Sequence, residues 1–305
     1  MKTTSTLSFQ GFSSVPSLHL RHVRSLIHLF PYEEVPRHMQ GNPHITAGYR
    51  CYLSARQCLK SMFVLSNELV NIWTHLGMAL AWIFLLLYDQ LVSLPSAGAG
   101  LSDHFVHLTY VLCIQICMVS SAGYHIFNSH TLENVCLRWY AIDLAGIITG
   151  VLGCYIPGLH YAFYCFPYIK LLYLVSVAAL IGISIFMVTQ PLYLSHAWTR
   201  YRMSHIITLV LYGIVPSVHW VFISSRREIE LFLPNVMTMY LILAIAFSFY
   251  LSQFPERFLP GKFNLIGQSH NLWHVMTAFS FIYWRHVALH IMLYRVENEC
   301  SIDQA

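Results

Sequence analysis

The chain has 305 residues, of which 56% are hydrophobic and only 10% charged, with a mean hydropathy of +0.55. Soluble domains carry about a quarter charged residues, so this composition excludes a soluble globular protein and identifies an integral membrane protein. A formal net charge of +4 is too small to mark nucleic acid as a partner.

Residues 1–65 read as a polar, mildly basic arm, and their first 20 residues lack the unbroken apolar core of a cleavable signal. Within the arm, residues 21–30 alternate basic and apolar side chains (Arg21, His22, Arg24 and His28 among Val23, Leu26, Ile27 and Leu29). That pattern suits a short amphipathic helix on anionic lipid, a docking surface for a kinase, or a flexible tail with scattered charge. Pro31 and Pro36 stop any helix there.

A spanning helix needs roughly 20 mainly apolar residues. Seven windows meet this: 70–88, 105–127, 139–157, 168–188, 205–222, 236–254 and 272–293. Just ahead of the first, Glu68 is followed at helical spacing by Asn71, Thr74 and His75; these form either a network beside a functional group or plain helix-to-helix hydrogen bonds. The third window carries Asp143 and the small residues Gly146, Gly150 and Gly153, which permit close helix approach and suit a central helix. The fifth contains Pro216 and is expected to kink. Trp73, Trp139 and Trp273 fall at span ends as interface anchors.

The expected fold is therefore an all-α seven-transmembrane helix bundle at residues 66–294, with a short lumenal tail at 295–305. An odd span count places the termini on opposite sides. Lys2, Arg21, Arg24, Arg37, Arg50, Arg56, Lys60, Arg138, Arg200, Arg202, Arg257 and Lys262 then share one side, against Lys170, Arg226, Arg227, Arg285 and Arg295 on the other. That bias makes the N-terminus cytosolic and the C-terminus lumenal or extracellular. The eight cysteines form no Cys-x-x-Cys pair, and most read as small buried hydrophobes.

His270 and His274 lie four residues apart at the start of the last window, so they project from one helix face. In the same topology His125 ends the second span and Asp143 lies near the start of the third, which brings all four to one membrane depth. Three imidazoles and a carboxylate-held water satisfy the open coordination of catalytic zinc. With 18 histidines a pair at this spacing also arises by chance, and a second pair, His286 and His290, does occur. Together with His104 and His107 it offers an alternative site at the opposite end, without an intramembrane carboxylate.

These residues sit in motifs that resemble the progestin and adipoQ receptor family. The resemblance runs from about residue 32 to 294. It rests on Asn42-Pro43-His44-Ile45-Thr46-Ala47-Gly48-Tyr49-Arg50, Asn67-Glu68-Leu69-Val70-Asn71-Ile72-Trp73-Thr74-His75-Leu76 and Ser121-Ala122-Gly123-Tyr124-His125. Asp143-Leu144-Ala145-Gly146, Pro255-Glu256-Arg257-Phe258-Leu259-Pro260-Gly261 and Ser269-His270-Asn271-Leu272-Trp273-His274 complete the set. The resemblance implies seven helices, a cytosolic N-terminus and Zn2+ held by His125, His270 and His274. It further implies that Asp143 positions a zinc-bound water, with Ser121 close by, and that ceramide or fatty acid occupies the bundle.

Residues 32–36, 152–155, 161–165 and 215–220 are most similar to a Golgi-resident member of the family that traps Raf kinase. That implies a Golgi membrane protein whose cytosolic N-terminal arm tethers Raf kinase and restrains Raf/MEK/ERK signalling. Two other functions fit the family: a zinc-dependent lipid-amide (ceramide) hydrolase, and a hormone or lipid receptor of the plasma membrane.

Overall fold

A computed structural model describes residues 27–298 and Cys300; most of the basic–apolar stretch at 21–30 lies outside the described residues. Residues 29–61 form a small cap. Strands β1 (Leu29–Pro31) and β2 (Ala47–Arg50) pair antiparallel, and helix α1 (Ala55–Ser61) follows. The start of α1 is set by a capping box: the Ser54 N–H donates to Gln57 Oε1 at 2.9 Å.

The bundle is built from α2 (Leu69–Tyr88), α3 (Leu101–Phe127), α4 (Glu133–Ala162), α5 (Pro167–Val188), α6 (Thr199–Leu211), α7 (Ile214–Ile223), α8 (Arg226–Ser252) and α9 (Ser269–Glu297). By length and composition six helices can cross a membrane: Leu69–Ser96, Leu101–Phe127, Glu133–Ala162, Pro167–Val188, His196–Ile223 and Arg226–Ser252. The expected seventh window, 272–293, falls within α9, which is 29 residues long but less apolar than those six. Its histidines and arginines, including His270, His274, Arg285 and Arg295, lower its hydropathy. Large apolar side chains such as Phe84, Phe105, Leu172, Phe186 and Phe222 point outward, as a lipid-facing surface requires.

The fifth span divides into α6 and α7 around Tyr212 and Gly213. Tyr212 is four residues before Pro216, where a proline ring clashes with the helical carbonyl. The glycines of α4 do face a close crossing. A Cβ on Gly146 would stand 2.7 Å from Ser120 Cβ, and one on Gly153 2.7 Å from Cys113 Cβ. Yet the most central helix is α3: 61% of its apolar window is buried against 39% for α4.

At the end opposite the cap, buried charges are paired. Asp89 is wholly buried and accepts from Arg285, with His107 Nε2 at 2.9 Å; Glu228 accepts from Arg295. Cys165, after α4, and Cys300, after α9, form a disulfide. This pair is the exception to the reading of most cysteines as small buried hydrophobes. Their separation of 135 residues left no mark in the sequence pattern. The remaining six are free thiols, and five of them are buried.

Candidate metal centre

Three helices converge beneath the cap. The last turns of α3 present His125, and the first two turns of α9 present His270 and His274. His125 and His274 are 3% and 2% exposed, and one ligand atom from each of the three rings lies within 4.8 Å of the others. His270 Nε2 stands 3.3 Å from His125 Nε2 and 3.1 Å from His274 Nε2.

The opposite ring nitrogens decide what those Nε2 atoms carry. His125 Nδ1 lies 2.7 Å from the Glu68 carboxylate, and His274 Nδ1 lies 3.2 Å from the carbonyl oxygen of Asn71. Both partners only accept, so each Nδ1 holds the proton and each Nε2 turns a lone pair inward. His270 Nε2 faces both lone pairs, and satisfies them as an N–H donor in the absence of an ion or joins them as a third ligand around one. The triad could hold a metal ion, and carboxylate- or carbonyl-anchored imidazoles are the usual arrangement behind one.

The residues singled out near the first span do surround this centre. Glu68 accepts from Asn71 Nδ2 at 2.7 Å and from Asn128 Nδ2 at 2.8 Å while it holds His125. Thr74 Oγ1 is 3.3 Å from His274 Nδ1, and the His75 ring stacks on His274 with centroids 3.7 Å apart. Arg50, 3% exposed, crosses from the cap and donates to the His125 carbonyl, to Ser61 and to Asn128. The structure thus joins network to centre, the first of the two readings.

Below the triad opens a cavity of about 1270 Å³, large enough for an acyl chain. Asp143 and Ser121 line it together with the three histidines, and Ser121 is the hydroxyl beside Asp143. Apolar side chains such as Phe281 and Trp284 line its deeper part. The alternative site at the other end is not assembled. His104 Nδ1 meets Gln90, His107 meets Asp89, and His290 packs on Phe232. Among the described residues the His125–His270–His274 group is the one cluster with ligand atoms gathered this closely.

Sequence reasoning missed Arg50 and Asn128 as supports of the centre. Arg50 closes one of the motifs and Asn128 lies in none, and nothing in a polar residue's spacing tells which distant backbone carbonyl or side chain it will reach. It also missed that the three Trp anchors have partners. Trp139 stacks on Phe127 at 4.9 Å, Trp273 lies 4.8 Å from Phe247, and Trp73 Nε1 donates to the Met62 carbonyl at 2.7 Å.

Comparison with known proteins follows the same residues. A family profile described as haemolysin-III related matches residues 63–285. The chain is 42% identical over 277 residues to progestin and adipoQ receptor family member 3 of Mus musculus, covering 90% of this chain and 89% of that protein. The Homo sapiens protein of the same name is 41% identical over 277 residues, again covering 90% and 89%. Identity to the adiponectin receptor protein of Drosophila melanogaster is 30% over 281 residues, covering 89% of this chain and 61% of that protein.

Proposed function

The chain belongs to the progestin and adipoQ receptors of the haemolysin-III related family, and from that premise we propose that it is a zinc-containing seven-helix protein of the Golgi membrane that tethers Raf kinase. In this reading α9 is the seventh span, and the N-terminal arm faces the cytosol, where it holds the kinase and restrains signalling towards ERK. The resemblance to a Golgi-resident, Raf-trapping member carries the tethering, and identity extending over 90% of the chain supports it.

Zinc is the metal that the family resemblance implies, and this donor set suits it. Three neutral imidazoles leave a fourth position open, and Zn–N bonds of about 2.0–2.1 Å in a tetrahedron put ligand nitrogens about 3.3–3.4 Å apart. The observed Nε2 separations of 3.3 and 3.1 Å are close to that spacing. Zinc pinning α3 to α9 would stabilise the bundle end on which the arm is mounted. The disulfide between Cys165 and Cys300 supports a lumenal C-terminus, because disulfides persist in oxidising compartments.

A second reading, hydrolysis of a lipid amide, is favoured by one observation: Asp143 and Ser121 share the cavity with the triad. Held by His125, His270 and His274, zinc would supply Lewis-acid activation for hydrolysis of an amide bond, while Asp143 and Ser121 would hydrogen-bond the reacting water and amide group of a lipid whose acyl chain lies in the cavity.

The test is metal analysis of detergent-purified protein, wild type beside His125→Ala, run with a Raf pull-down. The deletion used should stop at residue 26, because Asn42 and Arg50 are tied into the bundle end. Zinc lost in His125→Ala and Raf lost on deleting 1–26 are the expected results. Raf distribution unchanged by the deletion would rule out residues 1–26 as the tethering part of the arm, no Raf captured by the full-length protein would refute the tether, and ceramide turnover abolished by Asp143→Ala would favour the hydrolase.

A further inference from the structure

Two motifs separated by some 210 residues meet on one buried carboxylate. Glu256, in the segment between α8 and α9, is 0% exposed. Its Oε2 accepts the Ser269 backbone N–H at 2.7 Å, and its Oε1 accepts the Ser269 hydroxyl and Asn42 Nδ2, the latter at 2.9 Å. No lysine or arginine pairs with it among the described residues. Its charge is met by these three donors and by the positive end of the α9 dipole.

The position matters more than the bond count. Ser269 is the first residue of α9, and His270 is the next. The rotation of that first turn sets where His270 points and, one turn on, where His274 points. Residues 42–46 hold the carboxylate's own segment in place. The His44 carbonyl accepts the Gly261 N–H at 3.2 Å, and the Thr46 N–H donates to Asn264 Oδ1 at 2.8 Å. Four residues further, Arg50 grips the carbonyl of His125 on α3. One short segment of the cap therefore touches α3 directly and reaches α9 through Glu256.

We propose that Glu256 is a positioning residue for the metal centre, and that residues 42–46, docked on its segment, lock the helix that supplies His270 and His274. This rests on the reading that the triad holds zinc. Outer partners of this kind change metal affinity about 10- to 100-fold when removed. A plain helix cap would instead destabilise the fold to the same extent with or without metal.

The test uses the full chain purified in detergent, with zinc affinity measured by chelator competition and thermal unfolding followed for loaded and metal-stripped protein. Glu256→Ala is expected to weaken zinc binding about 10- to 100-fold while it shifts the melting of loaded protein more than that of stripped protein. Glu256→Gln, which still accepts the Ser269 N–H, recovers part of the affinity. Asn42→Ala weakens zinc less, and the double variant with Glu256→Ala is no worse than Glu256→Ala alone, because both remove one contact. Unchanged zinc affinity in Glu256→Ala, or an equal melting shift in loaded and stripped protein, overturns the proposal. Wild-type protein that takes up no zinc refutes the metal reading itself, and the proposal falls with it.

Discussion

Glu68 offers the sharpest perturbation of the metal centre, because its carboxylate serves three donors at once. His125 Nδ1 at 2.7 Å and Asn71 Nδ2 at 2.7 Å share Oε2, and Asn128 Nδ2 at 2.8 Å uses Oε1. In Glu68→Gln the amide keeps one accepting oxygen. Placed at Oε2 it retains His125 and Asn71 but turns an N–H2 towards Asn128, a donor facing a donor. The charge that strengthens the hold on His125 is lost in either orientation. Glu68→Ala removes all three bonds and frees the His125 ring to rotate or change tautomer. Loss of an outer carboxylate costs about 10- to 100-fold in metal affinity, which is about 1.4–2.8 kcal/mol. We therefore expect Glu68→Gln near the lower figure and Glu68→Ala near the upper, measured by competition with a zinc-binding dye in detergent. Asn128→Ala, which leaves the His125 bond untouched, should lie below both. If Glu68→Ala holds zinc as tightly as wild type while His125→Ala has lost it, the carboxylate does not orient the ligand and the tautomer argument fails.

Removing Arg285 by Arg285→Ala leaves the wholly buried Asp89 with only His107 and Ser93 as partners and should cost about 3 kcal/mol of stability, the lower end for a broken buried pair; the paired change Asp89→Asn with Arg285→Met should cost less, as read by denaturant titration in micelles. Gly146→Ala places a methyl 2.7 Å from Ser120 Cβ and 3.3 Å from Cys117 Cα, and the overpacking should destabilise by about 1–3 kcal/mol. In sealed vesicles a C-terminal tag should resist added protease, and the protein should run differently with and without reductant unless Cys165→Ser is present. Burial pushes the Cys51 thiol up to about 11, so maleimide at pH 8 should label it only after denaturation.

Much of this molecule could be read in one dimension. Apolar runs located all seven long helical regions, and Pro216 placed the break in the fifth within four residues, because bilayer thickness and proline sterics act locally along the chain. The triad was readable too, since His270 and His274 share a face at helical spacing and the span count carries His125 to the same end. What spacing could not supply was the partner of each buried polar group. Glu256 sits 13 residues before Ser269 and 214 after Asn42, and Cys165 and Cys300 lie 135 apart. Such pairs depend on how helices cross and where loops return, which the periodicity of a single segment does not encode. The hydrophobic pattern alone determined that this chain crosses a membrane. Tertiary packing decided which imidazoles face inward, because only there do Glu68 and the Asn71 carbonyl commit the outer ring nitrogens and leave the inner ones free to bind.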